Sequence, residues 1–200
     1  MTAQTALSSV ILASGVDIPN ARVDSTDIAT RQFVAAMNAT GKELNRRAEW
    51  PETMSSRTFI SGVSFDLPTN FSRLPERGAV RLVTSDDTYK PVRVVVAPEQ
   101  WAFLESRESL QPYCHLSEGQ LHFLPELDFN GAMVSYVTNE WVSGSNQITE
   151  DGDTFNVPEE LVVMGALWRW KRQKGLPYQD ELAEYEAAML ADIKAGRGLT

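Results

Sequence analysis

The stretch that decides the fold runs from Val157 to Ala195 and reads VPEELVVMGALWRWKRQKGLPYQDELAEYEAAMLADIKA. Pro158, followed by two glutamates, predicts a helix start, because proline lacks the N–H group that a first turn leaves unpaired and carboxylates stabilise the positive helix end. Cationic residues crowd the turn before Gly175, and glycine readily takes the left-handed conformation at a helix C-terminus. A second helix is expected from near Pro177 to about Ala195. The short join predicts that the two helices pack as a hairpin.

The first of these helices ends in the aromatic–cationic run, which we define as residues Trp168–Lys174. In helical geometry, Trp168 shares a face with Leu161 and Met164, whereas Trp170 lies about 160° away. One indole can therefore belong to the core while the other meets a partner, and tryptophan and arginine dominate interface energetics. The alternative is that both indoles are buried within the monomer while the cations solvate the helix end.

The N-terminal segment predicts two further helices. Residues Thr2–Ser14 carry one apolar stripe at helical spacing, formed by Ala3, Leu7, Val10 and Ile11, and Gly15 ends the helix. A longer helix is expected from about Asp24 to Glu49, because aspartate and serine side chains provide capping oxygens at its start. Its predicted buried stripe consists of Val34, Met37, Gly41, Leu44 and Ala48. The Trp50-Pro51 pair ends it, since a residue before proline disfavours the helical region.

Between Arg57 and Thr149 the apolar period changes from about 3.6 toward 2, which predicts β-strands. The strand candidates are Thr58–Ile60, Ser64–Leu67, Val80–Val83, Val92–Val96, Gln120–Leu124 and Met133–Val137. Pro98–Ser106 predicts a short helix between strands. Asn130-Gly131 marks a turn, so the flanking segments LHFLPELDF and AMVSYV are expected to pair as a β-hairpin.

Together these patterns predict an α+β protein. A helical bundle is expected from residues 1–56 and 157–200. Residues 57–156 are expected to form an inserted β-sandwich-like or barrel-like subdomain.

The composition is that of an ordinary globular protein of 200 residues with a net charge of −9. Such an acidic balance argues against a surface that grips nucleic-acid phosphates. The single Cys114 excludes an internal disulfide, and it is expected to be a small buried hydrophobe on a strand. Neither a signal peptide nor a membrane-spanning stretch is apparent, so we expect no signal-directed export and no membrane insertion.

Candidate catalytic residues are few. The sequence lacks the phosphate-binding, dinucleotide-binding, zinc-protease and nucleophile-elbow motifs. His115 and His122 are seven residues apart, which puts them on opposite faces if their strand is continuous, and Cys114 and His115 also face opposite sides. The acidic groups at Asp86-Asp87 and Asp151-Gly152-Asp153 are expected to form turns. We therefore predict no catalytic residue, no cofactor and no metal site, and no enzymatic activity.

Several motifs of the chain resemble those of the head-to-tail adaptor (connector) proteins of short-tailed and related tailed bacteriophages. The strongest is the segment WRWKRQKGLPYQDELAEYEAAM, which follows a proline–glutamate helix start. Upstream, DSTDIATRQFVAAMNATGKELNRRAEWPE resembles the second helix of that family. The segments PVRVVVAPEQWAFLES, LHFLPELDFNGAMVSYVTNEWV and DTFNVPEEL resemble its strand, helix, hairpin and lead-in to the third helix. The likeness covers nearly the whole chain in order, and it is weakest from Met54 to Asp87.

The resemblance implies a structural virion protein. Such adaptors form rings, usually of twelve copies, that join the portal protein to tail nozzle or tail fibre proteins and line a channel through which DNA passes without sequence-specific binding. The implied location is the neck of the virion, and the host cytoplasm during assembly. The candidate residues for the partner interface are Trp168, Trp170, Lys171, Arg172, Lys174, Tyr178, Arg197 and Leu199.

Two alternatives belong to other functional classes. A receptor- or carbohydrate-binding virion β-module would show exposed aromatic residues in a shallow groove, such as Trp101, Trp141 or Tyr113. A virion-associated enzyme that attacks the cell envelope would require two convergent acidic residues at glycosidase spacing in a cleft.

Overall fold

The computed structural model describes residues 2–84, 88–107 and 111–197. Its helices are α1 (Ala3–Ser14), α2 (Ile28–Arg47), α3 (Pro98–Glu105), α4 (Glu159–Gln173) and α5 (Gln179–Arg197). Its strands are β1 (Met54–Phe59), β2 (Gly62–Asp66), β3 (Phe71–Arg73), β4 (Val80–Val83), β5 (Tyr89–Pro91), β6 (Arg93–Val95), β7 (Tyr113–Ser117), β8 (Gln120–Leu127) and β9 (Ala132–Thr138). The predicted α+β class is confirmed.

The chain forms two compact units. Residues 2–53 and 139–197 make up the helical unit, and Met54–Thr138 make up the β unit. The predicted second boundary, at residue 156, differs from the structure because residues 139–156 pack with the helices. Trp141, Val142 and Ile148 belong to the apolar core of the helical unit. In the described part of the chain, no helix has the length and apolar character needed to span a membrane.

Local signals set the ends of the first two helices. Gly15 takes a left-handed conformation with φ of 72° after α1, as its position predicts. The Asp27 carboxylate accepts a hydrogen bond of 2.7 Å from the Thr30 N–H, which caps α2 three residues later than expected from Asp24. The predicted stripe of α1 is buried. The predicted stripe of α2 is buried except at Val34, which is half-buried, and the buried face of the helix also includes Phe33 and Thr40.

Helix α4 is the centre of the helical unit, because it packs against α1, α2 and α5. Gly175, with φ of 71°, ends its last turn, and α5 begins at Gln179. The predicted helical hairpin is therefore present, and α5 extends two residues beyond the predicted end at Ala195.

Two glycines allow the helical unit to pack closely. A Cβ atom on Gly41 would lie 2.0 Å from the Trp141 indole, and a Cβ on Gly165 would lie 2.2 Å from Thr40 Cγ2. Both distances are far below van der Waals contact, so a side chain at either position forces neighbouring elements apart. The Gly41 contact brings Trp141, which is fully buried, against the middle of α2.

The β unit contains two sheets. One has the order β1-β9-β4-β5, with β3 also paired to β9, and the other has the order β2-β8-β7-β6. Most pairs are antiparallel, whereas β6 and β7 run parallel. The apolar core of the β unit includes Phe59, Val80, Cys114, Leu121 and Phe123. Sequence analysis located six of the nine strands and the helix α3, but it did not single out β3, β5 or β7.

The predicted hairpin around Asn130-Gly131 is wrong, although the turn is present. The Asp128 carboxylate accepts hydrogen bonds from the N–H groups of Asn130 and Gly131, at 2.9 and 3.1 Å. The strands before and after this turn belong to different sheets: β8 pairs with β2 and β7, whereas β9 pairs with β1, β3 and β4. Both β8 and β9 have other strands on each side. The turn therefore connects the two sheets and does not form a hairpin.

Candidate partner interface

Both tryptophans of the aromatic–cationic run are buried. Trp170 is 5% exposed and stacks on Phe33 of α2, with ring centroids 4.8 Å apart and an interplanar angle of 16°. Trp168 is 9% exposed and stacks on Tyr178 at 6.2 Å. Because α4 has helices packed on several sides, two indoles on opposite faces are both covered. The hypothesis that one indole is free for a partner is wrong, and the alternative that both lie within the monomer is correct.

Arg169 joins α4 to α2. Its guanidinium donates to Thr40 Oγ1 at 3.1 Å and to the Gly165 carbonyl at 2.9 Å, and it forms an ion pair with Glu43. The same group lies 4.2 Å from the centroid of the Trp168 indole, in cation–π geometry. Burial lowers the pKa of Arg169, so the ion pair offsets part of the desolvation of the guanidinium.

A second arginine extends this network to α5. Arg47 makes two parallel hydrogen bonds to Glu186, at 2.7 and 2.8 Å, and also contacts Glu43 at 2.9 Å. The bond from Arg47 lowers the pKa of Glu186, and the same bond raises the pKa of Arg47. The series Arg169–Glu43–Arg47–Glu186 therefore connects α4, α2 and α5. Planar guanidinium groups suit such bidentate pairs better than ammonium groups do.

Lys171 connects the two helices of the hairpin. Its ammonium group forms a short ion pair with Glu181 of α5, and this contact lowers the pKa of Glu181. Tyr178, half-buried, lies between the helices and packs on Trp168. Both residues were predicted to contact a partner, but here they stabilise the hairpin.

The remaining interface candidates lie near the ends of the hairpin. Arg172 and Lys174 are exposed at the end of α4, where Lys174 Nζ lies 5.9 Å from the centroid of Trp170. The backbone of Arg197 forms the last position of α5. Leu199 lies outside the described residues. Among the six candidates whose side chains the structure describes, Arg172 and Lys174 are the exposed ones.

Sequence analysis missed the acidic partners of these cations. The Glu43–Arg47 spacing of four residues is a visible helical signal, but Glu186 lies 139 residues from Arg47 in sequence. No local pattern connects the two residues. The Asp151-Gly152-Asp153 group forms a turn, as predicted: Asp153 accepts from the Thr149 and Glu150 N–H groups, while Asp151 accepts from Val23 N–H.

The histidines have structural contacts in the β unit. His115 on β7 and His122 on β8 are directly opposite each other in the antiparallel register, so they face the same side. The expectation of opposite faces is wrong, because Glu118 and Gly119, both with positive φ, form a turn that interrupts the strand. His115 Nδ1 lies 2.8 Å from the Val95 carbonyl, and His122 Nδ1 lies 2.8 Å from Ser64 Oγ.

Cys114 is fully buried on β7, as predicted. Burial raises the pKa of its thiol to about 12. The thiolate, which is the nucleophilic form, is therefore strongly disfavoured at neutral pH. The predicted turn at Asp86-Asp87 lies outside the described residues.

A groove of about 370 Å³ lies within the β unit. Tyr113 contributes a half-buried aromatic side chain to it, Lys90 and Glu126 contribute exposed charges, and the core residue Phe123 lies beneath it. Asp128 also lines the groove, but its carboxylate is held by the turn, whose hydrogen bonds lower its pKa. The other two aromatic residues considered for a carbohydrate site, Trp101 and Trp141, are buried.

No protein-family model matches the chain, and no curated protein matches it.

Proposed function

We propose that this protein is a head-to-tail adaptor of a tailed bacteriophage. Copies of the chain form a ring, of twelve subunits by the resemblance, between the portal protein and the tail nozzle or tail fibres. The ring lines a channel through which DNA passes. The protein acts as a structural component of the virion neck, and it is in the host cytoplasm during assembly.

The observation that carries the proposal is the position of the aromatic–cationic run, Trp168–Lys174. This run belongs to the strongest part of the family resemblance, and it lies on the helix that packs against α1, α2 and α5. Segments that resemble the family at both ends of the chain therefore meet in one unit. The run supports the proposal as the core of a shared scaffold, since both indoles and two of its four charges, Arg169 and Lys171, are occupied within the chain.

The charge of the chain is compatible with a DNA channel. With a net charge of −9, the protein carries more carboxylates than cations, and carboxylates repel the phosphate backbone. DNA that does not bind to the channel wall can move through the channel. Assembly would depend on many modest contacts, since engagement of several sites at once raises their effective concentration. We therefore expect the isolated chain to be monomeric or weakly associated and to close into a ring on the portal.

The exposed end of α4 provides a specific portal contact. Arg172 and Lys174 present two cations there, and both side chains are exposed. The variant carrying Arg172→Glu and Lys174→Glu is expected to keep its thermal unfolding temperature and to bind the portal at least about tenfold more weakly, as expected for loss of two charge contacts. A matched control is the variant with Arg77→Glu and Arg93→Glu, which makes the same change of charge at two exposed arginines of the β unit.

A phage carrying a stop codon in the gene for this chain tests the adaptor function. We expect heads that package DNA but lose it, with tails left unattached, and rescue by the wild-type chain supplied in trans. Mutant particles with joined tails and retained DNA would contradict the proposal.

The groove in the β unit favours a second candidate, a carbohydrate-binding module. Tyr113 provides a half-buried aromatic side chain, and Lys90 and Glu126 provide hydrogen-bonding groups. Ligand pockets combine apolar or aromatic surface with a few polar groups in this way. Saturation-transfer NMR with host surface glycans tests this candidate. Binding that is lost in Tyr113→Ala but kept in Tyr89→Ala, which changes an exposed tyrosine of the same unit, would favour it over the adaptor.

A further inference from the structure

The outward face of α2 is a narrow stripe of small and basic residues. Apart from Arg47, its exposed positions fall within about 80° of one another around the helix, at 100° per residue. They are Ile28, Arg31, Ala35, Ala39, Lys42 and Arg46. The intramolecular ion pairs of the unit use a different set of charges, which includes Arg47 and Glu43. The α2 stripe is therefore a basic, nearly flat surface without a helix packed on it.

The outward face of α5 is also a stripe with small side chains at its centre. Its N-terminal end is acidic, whereas the α2 stripe is basic. Its exposed positions at the same helical spacing are Asp180, Ala183, Glu184, Ala187, Ala191 and Lys194. Leu190, which is 48% exposed, lies at the border of this stripe. Alanines at successive turns allow another helix to approach closely, because interaxial distance depends on the side chains at the contact.

The two stripes match best in the antiparallel direction. With Ala39 opposite Ala187, a constant register also places Ala35 opposite Ala191. The same register places Lys42 opposite Glu184 and Arg46 opposite Asp180. Parallel packing with Ala39 opposite Ala191 instead brings Lys42 to Lys194 and places Asp180 opposite the apolar Ile28. In the antiparallel arrangement the dipoles of the two neighbouring helices also point in opposite directions, so each positive helix end lies beside a negative one.

A groove beside the α2 stripe fits the exposed leucine. This groove has a volume of about 440 Å³, and its lining includes Val34, Ala35 and Arg31. In the antiparallel register, Leu190 lies next to Ala191 and therefore faces the part of α2 near Ala35. Its side chain can enter the apolar part of the groove, where it loses contact with water.

We infer that the α2 stripe of one copy of this chain binds the α5 stripe of another copy in antiparallel orientation. The contact is heterologous, since it joins two different surfaces, and a pair of subunits joined in this way retains one free α2 stripe and one free α5 stripe. Repetition of the contact produces a closed ring or an open filament. This contact specifies how subunits of the proposed adaptor join. It rests on the proposed function only in one respect, which is that the row of joined subunits closes into a ring around DNA.

Cysteine cross-linking tests the contact on the isolated chain, even where association is weak. A mixture of Ala39→Cys and Ala187→Cys proteins should give a disulfide-linked dimer under mild oxidation, while each protein alone should not. The matched control is a mixture of Ile28→Cys and Ala183→Cys, whose positions lie about 22 Å apart in the antiparallel register at 1.5 Å per residue. Absence of the first dimer, or equal yields in the two mixtures, would overturn the inference.

Charge reversal tests the register of the same contact. In the cross-linking background, Lys42→Glu with Arg46→Glu should lower the dimer yield about tenfold, as should Asp180→Lys with Glu184→Lys, because each replaces two attractive pairs with repulsive ones. Mixing the α2-reversed chain with the α5-reversed chain should restore the yield. Unchanged yields in the reversed chains, or no recovery on mixing, would contradict the assigned register. Loss of portal binding without a change in dimer yield would argue against the adaptor function but not against this contact.

Discussion

The helical unit and the β unit are stabilised by different kinds of contact. In the helical unit, the series Arg169–Glu43–Arg47–Glu186 connects three helices around buried indoles. In the β unit, an apolar core lies within sheets whose turns are held locally, as by Asp128 at the Asn130-Gly131 turn. Tryptophan and arginine are the residue types most typical of a partner interface. In this chain they instead pack the C-terminal helix α4 against the N-terminal helix α2.

This difference changes where assembly surfaces are expected. A run such as Trp168–Lys174 indicates an interface by composition, yet its indoles are covered by neighbouring helices. The plainer stripes of alanine and charge on α2 and α5 are exposed. Composition alone therefore does not show where this chain can bind a partner, because exposure is needed as well.

The largest expected effect is that of Trp170→Ala in the helical unit. Removing an indole that is 5% exposed and stacked on Phe33 should lower the free energy of unfolding by about 3–5 kcal/mol. Urea denaturation followed by circular dichroism measures this loss. Lys174→Ala, which removes an exposed side chain beside the same indole, is the control, and a similar loss in both variants would contradict burial of Trp170 as the cause.

The β unit should respond most strongly at a turn. Gly131 and Gly119 both have positive φ, of 76° and 77°, but only at Gly131 does a Cβ meet another atom, at 2.1 Å from the Phe59 carbonyl oxygen. Gly119→Ala should cost about 1 kcal/mol for the left-handed conformation, and Gly131→Ala about 1–3 kcal/mol more. Thermal unfolding of the two variants checks the difference. Equal losses would show that the contact with Phe59 is relieved without cost.

The ion-pair network should give a smaller effect. Glu43→Gln keeps the shape of the side chain but weakens its contacts with Arg47 and Arg169, so a loss of about 2 kcal/mol is expected. Glu184→Gln, on the exposed face of α5, should change stability by no more than about 0.5 kcal/mol. If both substitutions prove neutral in chemical denaturation, the network does not contribute to stability.

The smallest effect is the pH dependence of the Arg47–Glu186 pair. Because the pKa of Glu186 is lowered from 4.5 in the folded chain, its contribution is present above that pH and is lost as pH falls through the lowered value. The stability difference between wild type and Glu186→Gln should therefore shrink below pH 4.5. A difference that stays constant into acid would argue against a charged pair. The pair is about one third exposed, so the change should be modest.

Sequence patterns predicted the features that depend on local geometry. The stripe of α1, its end at Gly15 and the hairpin of α4 and α5 follow from helical period and capping, which are properties of neighbouring residues. Strand pairing was predicted less well, because a period of two does not identify the partner strand. For this reason β8 and β9 were assigned to one hairpin although they belong to different sheets.

The candidate site shows the same limit. Burial of Trp170 depends on Phe33, more than a hundred residues away, and on a helix surrounded by three others, whereas sequence analysis treats a helix as buried on one face. The exposed stripes of α2 and α5 could have been found from helical spacing, since their members repeat every three or four residues. Their opposite charges became informative only once both faces were known to be exposed.

Cryo-electron microscopy of the intact phage particle tests the adaptor proposal most directly. With a tag on this chain, the account predicts a ring of copies directly below the portal, with the tagged density repeated by the rotational symmetry of the ring around the DNA channel. Tagged density at the distal tip of the tail or on its fibres would contradict the account and favour a receptor-binding module, and absence of the chain from the particle would exclude a structural role in the virion.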